Sequence, residues 1–494
     1  MNVLLISPRT PTTFWSFRHA LKFISKKSSE PPLGLLTVAA LLPESWQLKL
    51  VDMNVSELKN SYLQWADMVF LSGMNIHLQS MKEALKRAKQ FGLKVVVGGP
   101  LVTTDYQLLP GADHYILGEA EDVLGQFLKD LSNGTAKKYY RAERFPEIEK
   151  TPVPRWDLLK MLQYANMSLQ FSRGCPYNCD FCNVTVLNGH KPRTKSVKQF
   201  LAELQAIYDT GWRGSVFIVD DNFIGNRKIL KAEILPAMIE WMKSHDWPFS
   251  FITEVSVNLA DDEHLMNLMV EAGFDSVFVG IETPNEQSLV ESNKKQNTGK
   301  DLFESVKKMQ QHGLIVSGGF IVGFDQDPPN IFDIQKSFIQ RTGIITAMVG
   351  LLNAPTGTRL YQRMKEQGRL IKTMSGDNMD GSTNIIPKMD LQFLKEQYQK
   401  LLRQLYEPDG FYERLKVFLI NYRVPQWKKS GKVSFTEIKA FLKALLILGV
   451  FEKGRMKYWK MLFYSLIKFP EKFPLTVRLS IFGYHFRRVA RKLA

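Results

Sequence analysis

Short apolar runs recur along this chain with room for one helix between successive runs, and that alternation restricts the available folds more than any other feature. Over residues 1 to about 135 the runs are VLLIS (3–7), QLKLVD (47–52), MVFLSG (68–73), KVVVGG (94–99) and HYILGE (114–119). Between them PPLGLLTVAALLP (31–43) and HLQSMKEALKRAKQFG (77–92) have helical periodicity. Apolar strands alternating with helices predict a parallel sheet covered on both faces, a doubly wound, Rossmann-like α/β domain over 1–135. Ligands of such sheets sit at the carboxyl ends of the strands. Those ends carry Ser7, Asp52, Ser72, Gly73, Gly98, Gly99, Pro100, Gly118 and Glu119. Small residues there admit a bulky ligand to the backbone, although the same glycines also serve as plain βα turns.

Residues 136–165 include KKYYRAERFPEIEKTPVPRW, which is charged, proline-rich and aperiodic, and reads as an interdomain linker. A second series follows: MSLQFSR (167–173), SVFIVD (215–220), FSFITEV (249–255), SVFVGIE (276–282), VSGGFIVG (316–323) and AMVGLLNA (347–354). Six βα units predict a partial (β/α)6 barrel over 166–389, with its chemistry at the C-terminal rim. From 390 to 494 the pattern is helical: LQFLKEQYQKLLRQLY, FYERLKVFLINY, SFTEIKAFLKALLILGVF and MKYWKMLFYSLIKF. A length of 494 residues suits this three-part division better than a single core.

The formal charge of +16 is not spread evenly. Residues 411–494 hold 19 Lys/Arg against 4 Asp/Glu, whereas the preceding 410 residues hold 46 against 45. The tail interleaves these cations with Trp, Tyr, Phe and Leu, as helices lying in a membrane interface do. Nucleic acid is the rival partner for a basic face, but stacking platforms and recognition motifs are missing from the sequence, so no nucleic acid is expected. A basic helical domain packed on the barrel with its charges in solvent is the plainer reading. No run of ~18 apolar residues indicates a spanning helix. MNVLLISPRT lacks the pattern of a signal peptide. A cytoplasmic protein, peripheral at the membrane face, is expected.

All three cysteines of the chain fall in FSRGCPYNCDFCNVT (171–185), as Cys175, Cys179 and Cys182. Three clustered cysteines cannot form a disulfide framework and point to a reducing compartment. Thiolates suit zinc, copper(I) or iron–sulfur clusters. A structural zinc site needs four protein ligands, and His190 is the candidate fourth. A [4Fe–4S] cluster on three thiolates instead leaves one iron open to an outside ligand.

C-x3-C-x-aromatic-C after the first barrel strand, with Phe181 as the aromatic residue, resembles the radical S-adenosylmethionine superfamily. The resemblance implies that Cys175, Cys179 and Cys182 hold a [4Fe–4S] cluster whose open iron chelates S-adenosylmethionine. The cluster then cleaves it to a 5′-deoxyadenosyl radical, with electrons from a reducing electron-transfer protein. Where the superfamily has a Gly-Gly-Glu-like segment, this chain has Asp220, Asp221 and Asn222. These, with Glu254, Glu282 and Asp325 at later strand ends, are the candidate contacts to S-adenosylmethionine or substrate; the plainer alternative for each is a helix cap or a strand-end salt bridge.

The first domain, with PPLGLLTVAALLP, SGMN and VGGP, resembles the cobalamin-binding domain of the cobalamin-dependent branch. That implies cobalamin contacts at Ser72, Gly73, Gly98, Gly99, Pro100, Gly118 and Glu119. The loop PRTPTTFW lacks the Asp-x-His-x-x-Gly segment that would offer cobalt a histidine; His19 and His77 are available, but cobalt without a protein histidine is expected. RGCPYNCDFCNVTVLNGHKPRTKS, GWRGSVFIVDDNFIGN, GIETPNE and RLSIFGYHFRRVARK resemble the subgroup of hopanoid C-2 methylases and tetraether-lipid ring-forming enzymes. The expected reaction is C-methylation of an unactivated sp3 carbon in a lipid or isoprenoid-type substrate. The rivals are cyclisation, oxidation or carbon–carbon bond formation without methyl transfer, and a zinc-stabilised binding protein.

Overall fold

The computed structural model of the protein describes residues 1–428 and 434–493. Its first sheet contains β1 (Asn2–Ser7), β2 (Gln47–Asp52), β3 (Met68–Ser72), β4 (Lys94–Gly98), β5 (His114–Leu117) and β6 (Tyr139–Arg141). All pair in parallel, in the order β2-β1-β3-β4-β5-β6. Successive side chains of a strand point to opposite faces, and here both faces are apolar. Leu4 and Ile6 enter a core with Met81, Ala84 and Ala88 of the Leu78–Gln90 helix. Val3 and Leu5 enter a separate core with Leu35 and Ala39 of the Leu33–Leu41 helix. The strand order reverses between β1 and β3, which opens a crevice at their carboxyl ends.

β6 lies within the stretch read from sequence as a linker. Three residues are too short to show a period, and Tyr115, Ile116 and Leu117 supply their pairing. The rest of that stretch is anchored by buried Ile148, Trp156 and Tyr164. The Tyr164 hydroxyl donates to Asp52 Oδ2 at 2.9 Å, so Asp52 ties the first sheet to the entry of the second.

The second sheet runs in chain order through β7 (Met167–Leu169), β10 (Gly214–Ile218), β11 (Phe249–Val255), β12 (Phe274–Glu282), β13 (Ile315–Val322) and β14 (Ala347–Leu351). Six sequential parallel strands make an open, partial (β/α)6 barrel. The run MSLQFSR is not one strand. It breaks after β7 and resumes as β8 (Ser172–Arg173), which pairs antiparallel with β9 (Arg193–Thr194). The break follows from Asp220, whose carboxylate takes the Phe171 and Ser172 N–H groups, both at 2.7 Å, that a sheet neighbour would otherwise bind.

After the Arg359–Glu366 helix, the described residues from 391 onward form the α-helices Leu391–Tyr406, Pro408–Asn421, Phe435–Leu446, Arg455–Lys468 and Phe473–Leu493. The last one seals the loop after β1. Phe14 stacks on Phe486 with centroids 4.1 Å apart, and the His485 ring nitrogen Nε2 bonds the Phe14 carbonyl at 2.9 Å. Among the described residues no helix is long and apolar enough to cross a membrane.

Candidate active site

The cysteine loop leaves β8 through Gly174, whose φ of +97° is strained for any side chain and whose Cβ would meet the carbonyls of Lys191, Gly189 and Asn188 at 2.8–3.0 Å. Its N–H donates to Asp221 Oδ2 (3.0 Å), which also accepts from Asn188 Nδ2 (2.9 Å). Downstream, Asp180 N donates to the Ser292 carbonyl and Asn293 Nδ2 to the Asn178 carbonyl. The loop is therefore held from both sides by backbone bonds, leaving its sulfurs free of structural duty. Burial raises the Cys175 thiol and pushes that of Cys182 up to about 12, against N–H donors at Tyr177 and Val184. Gln296 Nε2 donates to Cys179 Sγ at 3.4 Å. Soft, desolvated donors of this kind need a metal to ionise.

Three clustered thiols are the soft donors that an iron–sulfur cluster takes. Among the described residues no three His, Cys, Asp or Glu side chains converge as a single metal requires. His190 is exposed, so the fourth zinc ligand considered from sequence is not supplied. Phe181 packs edge-on against Phe324, with centroids 6.1 Å apart, and Lys294 Nζ lies 5.8 Å from its ring.

Along the barrel strands, residues that face the helices are fully buried: Val216, Ile218, Phe251, Thr253, Val277 and Val279. Their alternates Phe217, Ile252, Glu254 and Phe278 are partly accessible and face the barrel interior. Trp15, from the loop after β1, meets Phe278 edge-on at 5.0 Å, so the first domain reaches into the barrel. The interior is thus apolar with acidic groups toward the rim. Burial raises Glu254 to about 8, reinforced by the negative charge of Asp221, Glu30, Asp220 and Glu282. Burial raises Glu30 to about 7 against a hydrogen bond from Asn166. Glu282 sits at φ +64° beside a bulge in β12, and its Oε1 receives Lys294 Nζ at 2.6 Å. Burial alone would lower Lys294, but the Glu282 carboxylate and the neighbouring thiols outweigh it and hold the ammonium above its ordinary value.

The sequence-derived candidates separate into two groups. Glu254, Glu282, Phe181 and the cysteines gather at the rim. Asp220, with Ser172 Oγ at 2.5 Å in addition to its two backbone donors, and Asn222, bonded to Ser256 N at 3.2 Å, hold strand ends in place. Burial lifts Asp220 to about 7 even against those donors. Asp325 forms the strand-end salt bridge, with both oxygens 2.7 Å from the Arg369 guanidinium. Sequence reasoning missed Lys294, Glu30 and Trp15, none of which lies in a periodic element or a motif.

At the crevice of the first sheet, Ser72, Gly73, Gly98 and Gly99 surround the end of β3 and β4. Gly99 has φ +91°, and a Cβ there would lie 2.5 Å from Ser72 Oγ and 3.1 Å from the Gly73 carbonyl. Pro100 opens the Pro100–Asp105 helix behind it. Glycine lets the ends of β3 and β4 approach this closely and leaves backbone uncovered at the crevice where the sequence predicts cobalamin. His77 accepts from Met74 N at Nδ1 (3.1 Å) and meets Thr10 Oγ1 at Nε2 (3.0 Å), so both ring nitrogens are engaged, and burial lowers it to about 4. His19 packs against His485, away from the crevice. Gly118 and Glu119 are a correction to the crevice assignment. A Cβ on Gly118 would lie 2.9 Å from Ala142 Cβ, and Glu119 takes Arg173 and Arg193, each at 2.5 Å, clasping the first domain to the β8–β9 hairpin. Both Glu119 oxygens are thus committed to guanidiniums in an interdomain contact.

The comparisons agree with this geometry. Residues 23–128 match the B12 binding domain, 169–333 the Radical SAM superfamily, and 358–494 a domain of unknown function. The chain is 41% identical over 490 residues to an uncharacterized methyltransferase of Synechocystis sp. (strain ATCC 27184 / PCC 6803 / Kazusa), covering 98% of this chain and 91% of the relative. It is 32% identical over 418 residues to the hopanoid C-2 methylase of Rhodopseudomonas palustris (strain TIE-1), covering 84% and 78%. Two solved structures share the fold. The cobalamin-dependent S-adenosylmethionine radical enzyme OxsB, with aqua-cobalamin and S-adenosylmethionine bound, has a TM-score of 0.63 at 15% identity, over 100% of this chain and 79% of that one. The radical S-adenosylmethionine methyltransferase TsrM from Kitasatospora setae, with cobalamin and a [4Fe–4S] cluster bound, also scores 0.63, at 14% identity over 99% of each chain. The cofactors of such an enzyme are a [4Fe–4S] cluster, S-adenosylmethionine and cobalamin. A cysteine loop on a partial barrel, a cobalamin-type crevice facing it, and a 32% identical relative matched over most of its length lead to one conclusion: the chain belongs to the radical S-adenosylmethionine methyltransferases that carry a cobalamin-binding domain.

Proposed function

We propose that this enzyme C-methylates an unactivated sp3 carbon of a lipid or isoprenoid-type substrate in the cytoplasm. The observation that carries the reading is the barrel interior, where Phe217, Ile252 and Phe278 face inward and Trp15 meets Phe278 from the first domain. Such a lining favours an apolar skeleton by burial at about 25 cal/mol per Å². The hopanoid C-2 methylase relative supports the same substrate class.

When bound, the cluster and S-adenosylmethionine supply a hydrogen-abstracting radical, and cobalamin supplies the transferable methyl group. Cys175, Cys179 and Cys182 are the cluster ligands, fed by a reducing electron-transfer protein. Asp220 and Asp221 act on the cofactor through backbone, by fixing β7, β8 and Gly174. Glu282 is offered to S-adenosylmethionine, Asn222 acts by holding the strand end at Ser256, and Ser72, Gly73, Gly98, Gly99 and Pro100 are offered to cobalamin. Glu254, raised to about 8, is protonated at neutral pH and donates a hydrogen bond to any substrate hydroxyl, whereas Glu30, raised to about 7, is divided between its two forms there. The protein's task is orientation and exclusion of water.

The test is an anaerobic assay of reconstituted, cobalamin-loaded enzyme with methyl-deuterated S-adenosylmethionine and a host lipid extract. Deuterium in a lipid, with 5′-deoxyadenosine formed in step, is the expected result. Substrate-dependent 5′-deoxyadenosine without label would reject methyl transfer.

A further inference from the structure

The helices Phe435–Leu446 and Arg455–Lys468 carry a second apolar face at the surface, besides the one that packs on the core. On the first, Ala440 and Ala444 are buried, while Phe435, Ile438, Leu442 and Leu446 are exposed at i, i+3, i+7 and i+11, one face of the helix. On the second, Tyr458, Met461, Leu462 and Ser465 are buried, whereas Met456, Phe463 and Ile467 are exposed along one stripe. The turn Ile447–Phe451 joins the two stripes through Val450 and Phe451, and Trp459 Nε1 locks the joint by donating to the Gly449 carbonyl at 2.9 Å. Phe435, Phe451 and Ile467 are 70–74% exposed. A surface helix normally turns its large apolar residues inward, and contiguous apolar exposure of this extent marks an interaction site.

The charge around the stripes names the partner. Lys439, Lys453, Arg455, Lys457, Lys460 and Lys468 are exposed on the same segment, and its acidic residues are only Glu437 and Glu452. A protein partner with an apolar patch would not call for so one-sided a border, whereas an interfacial helix pairs an apolar face with flanking cations. We infer that these two helices form a docking surface for a bilayer containing anionic lipid, with Phe451 and Ile467 among the inserted side chains. The surface is tied to the first domain: Lys443 Nζ donates to the Lys22 carbonyl (3.0 Å) and Ser25 Oγ (3.1 Å), in a segment that continues to Glu30, whose charge acts on Glu254. The inference goes beyond the proposed reaction and does not depend on the substrate.

Co-sedimentation of the full-length, cluster-reconstituted protein with extruded vesicles tests it without turnover. The protein is expected to pellet with phosphatidylcholine vesicles containing phosphatidylglycerol, to do so less in high salt, and to stay in the supernatant with phosphatidylcholine alone. Phe451→Glu/Ile467→Glu should retain iron content and lose binding by at least about tenfold. Failure to bind either vesicle overturns the proposal, as does undiminished binding by the double variant. Loss of self-association in that variant, in a wild type that ignores vesicles, would make the face a contact between copies and overturn it equally.

Discussion

Lys294 Nζ lies 2.6 Å from Glu282 Oε1 at the end of β12, with both side chains only 10% exposed. The pair stands between the barrel rim and the cysteine loop, and either charge alone would be buried without compensation. Lys294→Met should therefore destabilise the protein by about 3–5 kcal/mol, whereas the double variant with Glu282→Gln recovers much of that loss. Urea unfolding of the four proteins of this cycle measures it. A double variant no more stable than the single would show that the pair is not coupled.

The zinc and cluster readings part at two residues. Cys179→Ala should abolish the visible absorbance of the reconstituted cluster and all 5′-deoxyadenosine formation. His190→Ala should leave iron and sulfide content unchanged, because His190 is exposed. Iron analysis with S-adenosylmethionine cleavage decides between them.

Gly99→Ala places a methyl group 2.5 Å from Ser72 Oγ, at a φ of +91°. The backbone strain should cost about 1–2 kcal/mol, and the filled cradle should lower bound cobalamin sharply. The bound-cobalamin spectrum after gel filtration reports this, with an unchanged cluster spectrum as the control for folding.

Glu254 has an ionisation raised from 4.5 to about 8, chiefly by burial. Between those values the unfolded chain has released the proton that the folded protein still holds. Stability contributed by the protonated group is therefore complete below the lower value and is lost as pH rises toward about 8. Thermal unfolding of the apoprotein should fall over that window, and less steeply in Glu254→Gln, which cannot ionise. Identical pH profiles would place the effect elsewhere.

Much of this molecule was legible in one dimension because the signals are local. Both faces of β1 are buried, so VLLIS reads as a continuous apolar run, and the parallel doubly wound sheet follows from that run and its helical neighbours. The three cysteines advertise themselves by spacing alone. Local rules also reach Gly99, whose place after a strand marks a ligand approach.

What the sequence alone determined, then, was the strand–helix alternation, the basic helical tail and the clustering of the three cysteines, all properties of neighbours along the chain. Only the tertiary structure decided the partners. It gave Glu119 to Arg173 and Arg193, 54 and 74 residues away, when strand-end position suggested a ligand contact. It brought Trp15 onto Phe278, set Lys294 against Glu282, and left a second apolar stripe of each tail helix outward while the first packs on the core. The physical reason is common to all of them. Periodicity reports which face of an element is apolar, but what that face or charge meets depends on chain crossings that carry no local signature.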